Sequence, residues 1–263
     1  MADAPIQYAV DSRGVATVTL IRPEIHNAFD DTVVAALSEA FSKAAQDDSV
    51  RALILASTGK SFCAGGDLNW MRRMAQYGYE ENLRDSELLA EMLHRLNTLP
   101  KLTIARVQGA AFGGGVGLVS CCDIAVASPA AGFCLSEVKV GMIPATISPY
   151  VINAIGERAS RRYFITAELI GAGKARELGL VTELVESEAH LDEGIERILK
   201  GLLRNGPRGV AEAKRLVMDY ANREITPELI ADSSKRIAEI RGSTEGQEGL
   251  TAFLEKRKPS WIV

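Results

Sequence analysis

The apolar pattern of this chain changes character once, and that change limits the folds open to it. Up to about residue 186, short strand-like runs alternate with stretches of helical period; beyond it the helical period continues almost alone. Residues 6–10 and 15–21 read as strands, 30–45 as an amphipathic helix and 51–56 as a buried strand. A second cycle follows, with 80–96 helical, 102–107 a strand after Pro100, 114–121 a short helix and 123–127 a strand. Helices over 191–203, 207–220, 227–241 and 245–256 close the chain, with Asn205-Gly206-Pro207 and Arg241-Gly242-Ser243 as the turns between helices. Repeated strand-strand-helix units that give way to helices predict an α/β fold, with a core over 1–186 and a helical region over 187–263.

At 263 residues the chain is long enough to bury a substantial core. Thirty Lys and Arg against thirty-four Asp and Glu leave a net charge of −4 without a long basic run, which argues against a nucleic-acid partner. Hydrophobic residues at 47% and charged residues at 24% point to neither disorder nor a membrane span. The residues from Met1 to Ile6 lack a charged segment followed by an apolar one, so the expected location is the cytoplasm. Cys63, Cys121, Cys122 and Cys134 have neither C-x-x-C spacing nor a histidine neighbour; they are expected to be buried free thiols, and no metal site is expected.

Two glycine-rich stretches carry the chemical signal. Phe62-Cys63-Ala64-Gly65-Gly66-Asp67-Leu68 and Gly109-Ala110-Ala111-Phe112-Gly113-Gly114-Gly115-Val116-Gly117-Leu118 each follow an apolar run and contain neither lysine nor a hydroxyl nucleophile. Glycine permits positive φ and close backbone approach, so the working groups of such loops are backbone N–H donors aimed at an oxygen. Two loops of this kind can polarise one carbonyl.

With these motifs in order, the chain resembles the crotonase (enoyl-CoA hydratase/isomerase) superfamily, from Arg22-Pro23-Glu24 through Ala252-Phe253-Leu254-Glu255-Lys256-Arg257. The resemblance implies a spiral of strand-strand-helix units, and a C-terminal helical region that covers the site and packs trimers, commonly paired into hexamers. It implies an acyl-CoA thioester substrate, with CoA part of the substrate and no separate cofactor or metal. It also implies that the thioester oxygen sits between the N–H groups of Gly66 and Gly114, the second opening a helix whose dipole favours a developing enolate.

Within the resemblance, Glu137 in Leu135-Ser136-Glu137-Val138-Lys139-Val140-Gly141 matches one of two family glutamates, and an apolar pocket raising its pKa would suit it to proton exchange. Read alone, the same run is an exposed glutamate paired with Lys139. The second hydratase glutamate would fall at Gly117, which leaves a single carboxylate, with room for solvent expected beside it. The stretches Ile143–Tyr150 and Gly156–Tyr163 resemble bacterial 3-methylglutaconyl-CoA hydratases. That branch implies a second carboxylate on the substrate, for which Lys139, Arg72 and Arg73 are candidates, the two arginines reading equally well as solvated surface charges. Ile25, Ala64 and Leu68 match family positions along the CoA chain, Lys256 one near its phosphates, and Asp67 reads as a loop cap. Hydration is the expected activity. An isohexenylglutaconyl-CoA hydratase, an enoyl-CoA isomerase and a non-catalytic acyl-CoA-binding subunit are the alternatives.

Overall fold

The computed structural model describes residues 4–262. Among the described residues, ten strands fall into two sheets. The larger has the order β1(Ile6–Val10), β2(Val15–Leu20), β3(Ala52–Ser57), β5(Leu102–Val107), β7(Ile124–Ala127) and β10(Glu183–Leu184). Only the β1–β2 hairpin is antiparallel. The smaller has the order β4(Ser61–Cys63), β6(Ala110–Phe112), β8(Gly132–Cys134) and β9(Ile170–Gly171), parallel except for the last pair. Each turn of the chain thus leaves one strand in the large sheet and the next in the small one, as β3 then β4, β5 then β6, and β7 then β8. This is the spiral of strand-strand-helix units expected from the sequence.

Helices fill the space between successive turns. In α1(Asp31–Gln46) the Asp30 side chain accepts from Val33 N at 2.9 Å, capping the first turn. The spacing of Val33, Val34, Leu37, Ala40, Phe41 and Ala44 turns one buried face to the sheet. At its C-terminus the Lys101 ammonium donates to the carbonyls of Ala44 and Asp47, satisfying acceptors that no later helical N–H reaches. The core runs from β2 and α1 through α3(Tyr79–Asn97), α4(Gly114–Cys121) and α5(Ser148–Thr166), with Phe29, Phe41, Phe62 and Phe133 fully buried. A second cluster on the other face of the large sheet joins Val15, Ala52, Ile104 and Val126 to Leu191, Ile195 and Leu199 of α7(Leu191–Leu202).

Several elements were not apparent from periodicity: the short β4, β6, β8, α2(Leu68–Met74), β9, α6(Ala172–Leu178) and β10, and the long α5. The last three helices, α8(Pro207–Tyr220), α9(Pro227–Gly242) and α10(Thr244–Leu254), bury only Ala252 among them. Lys214 ties α8 to the sheet, donating to Asp123 at 2.9 Å and to Lys101 O at 3.3 Å. No helix among the described residues is long and apolar enough to cross a membrane.

One buried polar residue fastens the first turn of the spiral. Asn27, 1% exposed and at φ 54°, accepts from Arg22 N at 2.9 Å and donates to Thr58 O at 2.8 Å and Ser61 O at 3.0 Å. Replacing it by alanine removes the acceptor of Arg22 N and the donor to Thr58 O, leaves Ser61 O only its longer bonds from Ser57 and Gln108 at 3.3 Å, and forces alanine into the left-handed region. Asn27→Ala should therefore lower unfolding free energy by ~1–3 kcal/mol or more. Chemical denaturation of the two proteins under matched conditions checks this; an unchanged midpoint would contradict it.

Candidate active site

Four segments meet where the two sheets and α4 converge: the 3₁₀ turn Pro23–Ile25 with the residues after it, the loop after β4, the loop after β6, and the 3₁₀ turn Glu137–Val140. Phe29 joins the first two. It forms a lone parallel bridge with Gly66, its N–H donating to Gly65 O at 2.7 Å while Asp67 N donates to its carbonyl at 2.6 Å. In a bridge of this kind the residues on either side of Gly66 make both bonds, so the Gly66 N–H faces away from Phe29. Among the described residues it has no acceptor, and Gly66 is exposed. The Asp67 side chain accepts from Asn69 N at 2.7 Å and Trp70 N at 3.1 Å, capping α2 as the sequence suggested.

Gly114 is the first residue of α4, where an N–H has no partner within the helix. It too lacks an acceptor among the described residues, and it is half-exposed. Its Cα approaches the Phe29 ring so closely that a Cβ there would lie 2.5 Å from Phe29 Cε2, which excludes any other residue without displacing Phe29. Gly113 before it sits at φ 50°, ψ −119°, a conformation open in practice to glycine alone. A Cβ on Gly113 would meet Glu137 Oε1 at 3.2 Å and Gly65 Cα at 3.8 Å. The two glycine loops and the Glu137 carboxyl therefore come so near one another that one added side-chain carbon would bridge them.

Glu137 opens its 3₁₀ turn. Its Oε2 is buried with no hydrogen-bond partner among the described residues, and burial raises its pKa above the ordinary carboxyl value, with its own backbone N–H partly offsetting the rise. The ion pair with Lys139 that a surface reading of Ser136-Glu137-Val138-Lys139 implies is not formed. Lys139 is exposed, its ammonium lies 4.0 Å from Cys134 Sγ, and it makes no ion pair among the described residues. Arg72 and Arg73 are held locally, by Asn69 Oδ1 at 2.6 Å and Asp31 Oδ1 at 2.5 Å.

Ile25 is half-buried at the end of its 3₁₀ turn, and the carbonyl of His26 beside it accepts from Ala64 N at 3.0 Å. Ile25, Ala64 and the exposed Leu68 are thus brought to the rim of the same loop. Lys256 follows α10 in the left-handed region at φ 56°, exposed, and its side chain makes no ion pair among the described residues.

Gly117 requires a correction. Solvent space was expected beside it, but it is buried, and a Cβ there would lie 2.3 Å from Ile147 Cγ2, 2.9 Å from Ile147 Cβ and 3.5 Å from Leu93 Cδ2. An isoleucine side chain fills the direction in which any side chain at 117 would leave the helix, so Gly117 offers no surface to a substrate. Cys63, Cys121 and Cys134 are buried free thiols, Cys122 is half-buried, and burial raises the pKa of each, that of Cys63 to about 12. None is a thiolate at neutral pH.

Sequence reading missed Phe29, Asn27 and Ile147. An apolar residue that orients a loop looks like any core residue, and the only outward signal was an asparagine in the run before Phe29.

A model of the enoyl-CoA hydratase/isomerase family matches residues 11–262, and the chain belongs to that family. It is similar to a solved enoyl-CoA hydratase from Shewanella pealeana, 44% identical with TM-score 0.94 over 98% of this chain and 96% of that one. An enoyl-CoA hydratase of Alternaria alternata is 32% identical over 93% of this chain and 80% of its own length. The 1,2-epoxyphenylacetyl-CoA isomerase of Escherichia coli is 30% identical over 95% of each. The relatives thus include proteins named as hydratases, at 44% and 32% identity, and one named as an isomerase, at 30%.

The geometry separates two substitutions at Gly66. A Cβ there meets nothing closer than Met71 Cγ at 3.6 Å, so Gly66→Ala keeps the N–H at ordinary contact distance. Gly66→Pro deletes the N–H. If this amide polarises a substrate carbonyl, the proline variant should lose ~10²–10³-fold in turnover of an enoyl-CoA while the alanine variant stays within a few-fold of wild type. Equal turnover in both folded variants would remove the amide from the chemistry.

Proposed function

We propose that this protein adds water across the 2,3 double bond of a carboxylated enoyl-CoA, converting 3-methylglutaconyl-CoA to 3-hydroxy-3-methylglutaryl-CoA. The observation that carries the reading is the Glu137 carboxyl, its Oε2 buried without a partner, set beside two glycine loops whose N–H groups at Gly66 and Gly114 have no acceptor among the described residues. The thioester oxygen lies between those two donors. Water oxygen attacks C3, the π pair moves through C2 to the thioester oxygen as an enolate, and the proton lost by water goes to Glu137. Glu137 then returns a proton to C2 as the enolate collapses, so one carboxyl serves as base and acid and a whole water is added. A raised pKa suits this double use, because the two forms are closer in free energy near neutral pH. These steps call on neither a metal ion nor a redox group; CoA arrives and leaves as part of the substrate.

Lys139 supports the carboxylated tail. It is a cation two residues from Glu137, on the same 3₁₀ turn, without a carboxylate of its own chain among the described residues. Ile25, Ala64 and Leu68 line the path of the CoA chain in this reading. The exposed Ile225, Ile230, Phe253 and Leu254 of the region over 187–263 are the surface on which copies associate into a trimer or hexamer, with Lys256 of a neighbouring copy near the CoA phosphates. Isomerisation of the double bond is the second reading, favoured by the single carboxylate. In it Glu137 moves a proton between two carbons.

Mass spectrometry of the acyl product separates the two, since hydration adds one water and isomerisation adds nothing. An unchanged mass with a moved double bond would overturn the hydratase reading. Glu137→Gln keeps shape but not proton exchange, so turnover should fall ~10²–10⁴-fold with little change in ligand affinity.

The same substitution has a stability signature. Because the folded pKa of Glu137 is raised, the native state binds more protons than the unfolded state between the two pKa values, and the carboxyl's penalty grows as pH rises through that window. Glu137→Gln should therefore gain stability relative to wild type as pH rises from about 4 toward neutrality; a constant difference in denaturation midpoint would contradict the burial argument. Lys139→Met should impair 3-methylglutaconyl-CoA more than crotonyl-CoA, which has no second carboxylate. Equal losses in kcat/KM on both would assign Lys139 a structural role.

A further inference from the structure

The 137–147 segment touches α4 at two points one helical turn apart. At its start, Glu137 Oε1 sits over Gly113, 3.2 Å from where a Cβ would be. At its end, Ile147 presses on Gly117, its Cγ2 2.3 Å and its Cβ 2.9 Å from the Cβ that Gly117 lacks. Gly117 N donates to Gly113 O at 3.3 Å, so a single α-helical turn separates the two contacts. The bare backbone at 113 and 117 is what lets the segment lie this close.

Between those points the segment is loosely held. Lys139, Val140, Gly141, Met142, Ile143 and Ala145 are exposed, while Pro144 and Ile147 are buried, Ile147 at 2%. Its hydrogen bonds are local ones, Met142 N to Glu137 O at 3.0 Å and Ala145 N to Ile143 O at 2.8 Å, which shape the loop without fixing it on α4. Ile147 then passes into α5, its carbonyl accepting from Val151 N at 3.1 Å. The side chain seated on Gly117 is therefore the anchor at the far end of the loop that carries the carboxyl.

We propose that Ile147 is a positioning residue: its Cγ2 methyl, seated on Gly117, sets where the Glu137 carboxyl stands at the start of α4. The inference rests on the reading of Glu137 as the acid–base group, since Ile147 itself touches no reacting atom and acts through Glu137. A close-packed core is sensitive to a single methyl, and displacement of a reacting group by about 1 Å costs on the order of 10²-fold in rate.

The test compares Ile147→Val, Ile147→Leu, Ile147→Ala and Glu137→Gln with wild type, on whichever of 3-methylglutaconyl-CoA and crotonyl-CoA the wild type hydrates faster, with melting temperatures measured in parallel. Valine keeps Cγ2, leucine keeps volume but loses that branch, and alanine loses both. The expected result is a kcat near wild type for Ile147→Val and at least ~10-fold lower for Ile147→Leu and Ile147→Ala, with KM changed by less than about 3-fold in each. Should Ile147→Ala fail to fold, the valine and leucine variants decide the matter. Wild-type kcat in a folded Ile147→Leu protein, or a loss in Ile147→Val as large as in Ile147→Leu, overturns the inference. Full activity in Glu137→Gln overturns the acid–base reading itself, whereas loss there with wild-type kcat in Ile147→Leu defeats only the role given to Ile147.

Discussion

The site depends on backbone meeting backbone without side chains between. Gly65 and Gly113 come close enough that a single Cβ on Gly113 would fall 3.8 Å from Gly65 Cα and 3.2 Å from Glu137 Oε1. A Cβ on Gly114 would strike Phe29. Phe29 in turn holds the Gly65–Asp67 loop by two short hydrogen bonds that leave the Gly66 N–H outside the bridge. The absence of side chains at these positions lets two loops from different turns of the spiral approach each other closely. The parallel pairing of β4 with β6 and of β6 with β8 then fixes those turns relative to each other.

Glu137 shows the cost of such a site. Burial disfavours the charged form of a carboxyl whose Oε2 has no hydrogen-bond partner among the described residues, and its own backbone N–H offsets that only in part. The carboxylate at the start of α1 is treated differently: Asp30 caps that helix and pairs with Arg22 at 2.6 Å, and its pKa is lowered. That contrast between a partnered carboxylate at a helix start and one with an orphaned oxygen at a glycine loop is the physical basis for proposing Glu137 as the acid–base group.

Much of the architecture is written in period and punctuation. The strand at 102–107 and the helix at 114–121 have the bounds that their apolar runs and glycines imply, and α1 begins one residue after the capping Asp30. The three-residue strands β4, β6 and β8 are not readable in this way, because three residues cannot display a period and only pairing with a neighbouring turn defines them. α5 was hidden too: Gly156 interrupts it at φ 76°, ψ 160°. At the site, the glycine loops and Glu137 stand out by residue type, whereas the seat of Ile147 on Gly117 joins residues thirty positions apart by shape alone.

The central claim is that backbone N–H groups polarise a thioester carbonyl, and vibrational spectroscopy of that bond examines it most directly. The measurement is isotope-edited infrared difference spectroscopy of 3-methylglutaconyl-CoA carrying ¹³C at the thioester carbon, bound to Glu137→Gln so that the ligand is not turned over. The account predicts a carbonyl stretch at lower frequency on the protein than in water, with the displacement lost when Gly66→Pro is added to the same variant. A stretch at or above its aqueous frequency in the bound complex would contradict it.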